Sequence, residues 1–392
     1  MQRYIQLTTE QYQQIEVVAP FDEGLLSFNQ QPLPCYASLI LEFMAALSDA
    51  LCHISDAPNA KALGFFLRQR ALEKAVNERL IGGARAPMGV SFHLVPGNVP
   101  MVAFHSAFAS LLQGNPTIVR LSSRQLDEQQ VVFEILNTLL AEPRWQTISE
   151  RLRFIRYARD DVLTQALSGI CQSRVIWGGD ASIEGIRGLP LPASAFELTF
   201  ADRQSLALFD EVALRELPGR AIELQLKQLA QDISQFGQQS CSSPGLLVWL
   251  GQDVVFRERL FAQLASFLDD SLAKASEQLT ILQLAVTTGQ VSDYQQHHGV
   301  GWGQLAIGQA LPARGAGVLY WQQRSTWHDW LSTADNFQTC VMVGGSRDAL
   351  RERLADYPAL RLDRIVAPGQ ALAFDWYWDG IDLLSQLSRR QG

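Results

Sequence analysis

From about residue 89 onward the chain alternates short apolar runs with segments whose apolar residues recur at spacings of three and four. The short runs read as strands: Val90–Val95, Thr117–Leu121, Phe154–Tyr157, Arg174–Trp177, Ser205–Phe209, Leu246–Leu250, Val318–Trp321, Cys340–Val343 and Arg364–Val366. Between them, segments such as Met101–Gln113, Glu128–Leu140 and Glu223–Gln235 carry the helical period. Strand–helix alternation needs crossover connections, so the pattern predicts an α/β fold with a largely parallel sheet covered on both faces. Before residue 86 the pattern changes. Leu39–His53 and Ala60–Leu80 read as two helices after a mixed stretch without a clear period. Pro218–Gly219 interrupts the alternation and places a domain boundary near Asp210–Gly219.

A length of 392 residues fits two domains, or one large α/β domain with an appendage. The net charge of −8 argues against nucleic acid as a partner, though a local basic pocket could still receive an anionic cofactor. No apolar run reaches the roughly 18 residues of a membrane span, so no integral membrane segment is expected. Met1–Val18 is rich in Gln and lacks the basic-then-apolar order of a signal peptide. The five cysteines (Cys35, Cys52, Cys171, Cys241 and Cys340) are scattered without a CxxC pair, which predicts neither a disulfide framework nor a zinc site. A reducing, cytoplasmic setting is the expectation, with no metal.

Four stretches could carry chemistry. Val95-Pro96-Gly97-Asn98-Val99-Pro100 is a stiff turn at the carboxyl end of a strand, where open α/β sheets place ligands. The amide of Asn98 could stabilise an oxyanion there, or merely close an Asx-turn. Phe236-Gly237-Gln238-Gln239-Ser240-Cys241-Ser242-Ser243-Pro244 sets a cysteine in a small polar loop before a strand. Such a cysteine can meet substrate and be activated by nearby N–H groups, whereas the other four read as buried hydrophobes. In Trp177-Gly178-Gly179-Asp180-Ala181-Ser182 the glycines let backbone approach a ring or a diphosphate, although Asp180 is an awkward neighbour for phosphate. Arg120, Ser122, Ser123 and Arg124 end a strand with two guanidiniums and two hydroxyls, suited to ribose or a 2′-phosphate or simply solvated. Gly299–Gly303 lacks the spacing and preceding strand of a dinucleotide fingerprint and reads as a loop. His297-His298 also reads as a loop pair, and the six histidines show no metal spacing. No Ser lies in GxSxG, which disfavours a hydrolase triad.

The order of these motifs resembles the aldehyde dehydrogenase superfamily, and more closely the fatty acyl-CoA reductases of bacterial luminescence, the LuxC family. The resembling stretches are Gly97–Pro100, Val175–Gly179 with Ile186-Arg187, Gln238–Pro244, Asp363–Gln370 and Tyr377-Trp378-Asp379-Gly380. By position, the resemblance implies that Cys241 is the nucleophile, Asn98 the oxyanion donor, Arg120 the residue by the adenosine ribose, and Gly178 and Gly179 the loop beside the dinucleotide, with Trp177 preceding them. The family's usual Glu-Leu-Gly-Gly-Lys stretch appears as Phe196–Arg203, in which Glu197 is the candidate general base and Thr199 the alternative by counting back from Arg203.

The implied architecture has two domains, each with a largely parallel sheet covered by helices, and the catalytic cysteine in the cleft between them. The implied divisions are an N-terminal segment over 1–85, a nucleotide-binding domain over 86–212, a catalytic domain over 213–365 and a returning C-terminal segment over 366–392. The implied reaction is reduction of a long-chain acyl-CoA or other acyl thioester to the aldehyde through a cysteinyl acyl-enzyme. NADPH is the expected cofactor, with NADH as the second choice. The acyl donor is acyl-CoA or an acyl-protein, an acyl-protein synthetase is a candidate partner, and a homo-oligomer is implied. Two other readings stay open: an ordinary aldehyde dehydrogenase, which needs Glu197 as a working base, and a non-catalytic nucleotide-binding scaffold.

Overall fold

A computed structural model describes residues 7–21, 24–81, 83–268, 275–297 and 299–391. Two compact units emerge, one from residues 1–202 with 374–392 and the other from residues 203–373.

The first unit is built on a six-stranded sheet. Its strands are β1 (Glu16–Ala19), β3 (Ser91–Leu94), β4 (Thr117–Leu121), β5 (Leu152–Arg156), β6 (Ser173–Trp177) and β7 (Phe196–Phe200), while β2 (Arg85–Pro87) lies outside it. The order β1-β5-β4-β3-β6-β7 is parallel except for β1, which runs antiparallel to β5. The chain steps from β3 to β5 in one direction and then returns to lay β6 and β7 on the other side of β3. That reversal makes a topological switch point between β3 and β6, and open α/β sheets place their ligands at the carboxyl ends of the strands beside such a point. Alternate residues feed two cores: Val119, Leu121 and Val175 face one, Ile118 and Ile176 the other. The helix Val102–Leu112 is buried along its whole length.

The second unit holds a seven-stranded sheet of β8 (Ser205–Asp210), β9 (Pro244–Leu250), β10 (Val291–His297), β11 (Val300–Leu305), β12 (Val318–Arg324), β13 (Phe337–Val343) and β14 (Leu362–Val366). The order is β10-β11-β12-β9-β8-β13-β14, parallel apart from the β10–β11 hairpin. Along β9, Leu247 and Trp249 face one core and Leu246, Val248 and Leu250 the other, so the strand reads as one continuous apolar run. Residues 374–392 contribute the hairpin β15 (Tyr377–Trp378) and β16 (Ile381–Asp382), then β17 (Ser388–Arg390), which pairs antiparallel with β2.

Three expectations need correction. Gly299–Gly303 is not a loop, because β11 runs through it. A Cβ on Gly301 would lie 2.9 Å from Leu282 and one on Gly303 2.8 Å from the ring of Tyr320, so these glycines are there for close packing. His297 accordingly ends a strand, and His298 lies outside the described residues. The segment Ala60–Leu80 is two helices, Pro58–Phe66 and Gln69–Leu80, broken where Arg68 is extended; the bend keeps both Leu67 and Leu72 in the core. Finally β8 hydrogen-bonds within the second sheet, although the range 86–212 assigned it to the first. Among the described residues no helix is long and apolar enough to cross a membrane.

Candidate active site

In the first unit the turn after β3, the end of β4 and the Gly178–Gly179 turn lie at the carboxyl edge of the sheet, whereas Glu197 is the second residue of β7, near its amino end. The turn after β3 is fixed at both ends. The Val95 N–H donates to the Arg120 carbonyl at 3.2 Å, and the buried Gln129 amide donates to the Pro100 carbonyl at 2.6 Å. At Gly97 a Cβ would lie 2.5 Å from Ser122 Oγ, so only glycine lets this turn press against the end of β4. Asn98, half-buried, follows directly. Beside it, Ser122 Oγ accepts the Arg124 N–H at 3.2 Å, and Ser123 and Arg124 are exposed. Arg120 turns away from them: its guanidinium donates to the Tyr157 carbonyl at 3.3 Å and sits 5.2 Å from the centre of that ring.

Across the switch point, Gly178 donates its N–H to the Phe200 carbonyl at 3.1 Å, and Gly179 begins the helix Asp180–Arg187. A side chain at Gly179 would meet nothing within 4 Å, so the surface above it is open. Trp177 is different. Its indole is buried, stacks on Phe200 at 3.9 Å and donates to Ser106 Oγ at 2.9 Å, which leaves backbone as its contribution to any ligand. Ser106 belongs to a buried relay that sequence inspection missed: Ser173 donates to Ser91, Ser91 meets His93 Nε2 at 2.7 Å, and His93 Nδ1 meets Ser106 at 2.6 Å. Burial holds His93 neutral, its pKa pushed down to about 3. The relay ties β3 and β6 to the helix that follows the Asn98 turn.

Glu197 lies on β7 between two guanidiniums. One oxygen accepts from Arg174 at 2.5 and 2.8 Å and the other from Arg187 at 2.9 Å. Both carboxylate oxygens are therefore occupied by guanidinium donors. Thr199 is on the same strand, 3.5 Å from Arg187.

In the second unit the helix Gly219–Ser234 gives way to three successive residues in the left-handed region, Phe236 (φ 56°), Gly237 (φ 61°) and Gln238 (φ 63°). Two of them are not glycine, a conformation costing roughly 1–2 kcal/mol per residue that surrounding structure must hold in place. The hold is visible. Gln238 is buried, accepts the Gly317 N–H at 2.8 Å and donates to the Val318 carbonyl at 3.3 Å. Three residues later Cys241, half-buried, has its carbonyl bound by Ser205 Oγ at 2.7 Å; Ser205 in turn accepts the Thr339 N–H at 3.1 Å. Ser242 Oγ donates to Gln338 at 3.2 Å, and Arg314 donates to the Ser243 carbonyl at 3.3 Å. The Cys241 loop is therefore pinned at the amino ends of β8, β9, β12 and β13.

The other cysteines lie elsewhere. Cys171 and Cys340 are buried, with burial pushing the Cys340 thiol well up, and Cys35, half-buried, is raised to about 11 by the same cause. Cys52 is half-buried. No group of three or more His, Cys, Asp or Glu side chains among the described residues could hold a metal ion.

Comparison with known proteins places this architecture. The sequence model of the family described as Acyl-CoA reductase (LuxC) matches residues 77–390, and the chain belongs to that family. A long-chain acyl-protein thioester reductase 2 of Photobacterium leiognathi is 25% identical over 185 residues, 47% of this chain and 37% of the relative. Its counterpart in Aliivibrio fischeri is 27% identical over 180 residues, 45% of this chain and 36% of the relative. The matches thus span little more than a third of these relatives' length. Aldehyde dehydrogenase 21 of Physcomitrella patens, solved with succinate, superposes with a TM-score of 0.64 over 90% of this chain and 84% of its own, at 11% identity. The indole-3-acetaldehyde dehydrogenase of P. syringae, solved with NAD+, gives 0.62 over 90% and 82%, also at 11% identity. The fold is that of the aldehyde dehydrogenases.

Proposed function

We propose that this chain of the LuxC family reduces an acyl thioester to the aldehyde with a nicotinamide dinucleotide, through an acyl-enzyme on Cys241. The observation that carries the reading is the pinned loop: Cys241 is half-buried in a polar turn whose backbone is held by Ser205, Gln238, Ser242 and Arg314. A nucleophile needs that fixity, because a rigid approach geometry removes part of the barrier.

The Cys241 thiolate attacks the thioester carbonyl and forms a carbon–sulfur bond. The charge that develops on the carbonyl oxygen is met by the Asn98 amide and the Cys241 backbone N–H. The oxygen's electron pair returns, the thiol of the donor leaves as thiolate, and the acyl group stays on Cys241. A bound dinucleotide would supply the hydride for the reduction of that acyl group. Cys241 is then released as the aldehyde departs. For the dinucleotide, the open surface at Gly179, the half-buried Ser122 and the exposed Ser123 and Arg124 suit a diphosphate and a ribose, with Arg120 on the same strand but turned to Tyr157 and Trp177 contributing backbone alone. The exposed Arg124 guanidinium beside the exposed Ser123 hydroxyl favours NADPH over NADH, because it can meet a 2′-phosphate.

Glu197 supports reduction over oxidation. Oxidation to the acid needs a base to activate water, and a carboxylate clamped by Arg174 and Arg187 is poorly suited to that task. The donor is then an acyl-CoA or an acyl-protein, and the working form a homo-oligomer. The test is incubation with acyl-CoA of several lengths and NADPH while following aldehyde. Aldehyde formed with stoichiometric loss of NADPH is the expected result; free acid without NADPH consumption would overturn it.

A further inference from the structure

The buried relay around His93 has no part in the chemistry above, and its polar atoms are far from water. Val119 and Val175, which lie beside His93 on the two neighbouring strands, are apolar and fully buried. An apolar side chain at position 93 would desolvate no polar atom. The chain instead buries an imidazole and the hydroxyls of Ser91, Ser106 and Ser173, each 0–1% exposed. Such a cluster is tolerated when its members satisfy one another, and what it gains is a fixed arrangement of the elements it joins.

The relay runs from one end of β6 to the other. Ser173 begins that strand and Trp177 ends it, on the same face and roughly 13 Å apart. Ser173 donates to Ser91 Oγ at 2.8 Å, Ser91 Oγ meets His93 Nε2 at 2.7 Å, and His93 Nδ1 meets Ser106 Oγ at 2.6 Å. The Trp177 indole N–H closes the path by donating to Ser106 Oγ at 2.9 Å. A neutral imidazole has one nitrogen that donates and one that accepts, so the single ring completes both of its links. Trp177 is thus held by Ser106 at its N–H and by Phe200 across its face, and the next residue, Gly178, donates its own N–H to the Phe200 carbonyl at 3.1 Å. Gly178 and Gly179 have no side chains to anchor them. The placement of their backbone depends on the indole that precedes it.

We propose that His93 is a positioning residue for the dinucleotide, setting the Gly178–Gly179 backbone through Ser106 and the Trp177 indole. The proposal rests on the reading of that backbone as the diphosphate site. The diphosphate is common to NADPH and NADH, so the relay acts on both cofactors alike.

The experiment titrates full-length wild type and variants with NADPH and with NADH by fluorescence, and measures single-turnover CoA release from hexadecanoyl-CoA without nucleotide. An Asn at position 93 puts its amide near the place of Nδ1 and keeps the link to Ser106; a Gln reaches toward the place of Nε2 and keeps only the link to Ser91. His93→Leu, His93→Gln and Ser106→Ala should each weaken both nucleotides about tenfold, the low end of what a hydrogen bond to a charged group contributes. CoA release should change less than nucleotide affinity, and His93→Asn should keep most of the wild-type affinity. If His93→Leu fails to fold, the Asn and Gln variants with Ser106→Ala carry the same comparison. Unchanged affinity in Ser106→Ala, or His93→Asn as weak as His93→Gln, overturns the proposal and leaves the dinucleotide reading standing. Equal losses in CoA release and nucleotide affinity overturn it too, by showing a ring that only supports the fold, as does a loss confined to NADPH, which places the effect at the 2′-phosphate. If the wild type binds neither nucleotide, the dinucleotide reading falls and takes the proposal with it.

Discussion

Ser205 offers the sharpest probe of the Cys241 loop. It begins β8, is fully buried, donates to the Cys241 carbonyl at 2.7 Å and accepts the Thr339 N–H at 3.1 Å. Ser205→Ala removes the acceptor of one backbone group and a donor to another while adding no bulk. Losing the partner of a buried polar group costs about 1–3 kcal/mol, so the pair should cost about 2–6 kcal/mol, or roughly 4–24 °C in midpoint for a unit of this size. The rate should also suffer. A misplacement of about 1 Å at a reacting atom can cost on the order of a hundredfold, so single-turnover CoA release should slow by roughly ten- to a hundredfold. Thermal unfolding and rapid-mixing CoA release measure the two effects separately. Lower stability with an unchanged rate would show that Ser205 supports the sheet and not the nucleophile. No change in either would refute the reasoning outright.

Gly97→Ala should push the Asn98 turn off β4, because the new Cβ would lie 2.5 Å from Ser122 Oγ; a loss of about 1–3 kcal/mol in thermal unfolding is expected, relieved in the double variant with Ser122→Gly. Asp232, 3% exposed, accepts the Gly369 and Ala371 N–H groups, and burial pushes its pKa up from 3.8 to about 6. The folded state therefore holds this proton more tightly than the unfolded chain, and its contribution, fully present below pH 3.8, is lost as pH rises through about 6. Urea unfolding of wild type against Asp232→Asn should show a difference that shifts by about 3 kcal/mol over that window, and a flat difference would contradict the assignment. Glu197→Gln should cost about 3 kcal/mol of stability by leaving the buried Arg174 without its counter-charge. Its aldehyde-forming rate per folded molecule should be unchanged, and a collapse of that rate would restore Glu197 as a base.

Much of the fold was legible because β4, β6, β8, β9 and β13 are buried on both faces and appear in sequence as short apolar runs. β10 was not, since six of its seven residues are exposed, and β11 was hidden by glycines that admit Tyr320 and Leu282. β1 depends on pairing with β5, far along the chain, which no local pattern announces. The candidate site divides the same way. The Cys241 and Asn98 turns carry their own small and stiff residues, so each was visible alone. What holds Cys241 was not: Ser205 lies 36 residues before it and Gln338 is 96 residues beyond Ser242, both ordinary polar residues at strand starts. The clamp on Glu197 needs Arg174 from the neighbouring strand, which only the β6–β7 register brings alongside. Trp177 looked available beside two glycines, and the alternation of β6 sent its ring into the core.

The central claim is that the acyl group is carried on Cys241. The most direct measurement is peptide mapping by mass spectrometry after the full-length protein is mixed with hexadecanoyl-CoA in the absence of NADPH. One acyl group should appear on the peptide containing Cys241, should vanish on addition of NADPH with release of aldehyde, and should never form in Cys241→Ala. Acylation of Cys241→Ala at the wild-type level, or an acyl group mapped to Cys35 or Cys52, would contradict the account.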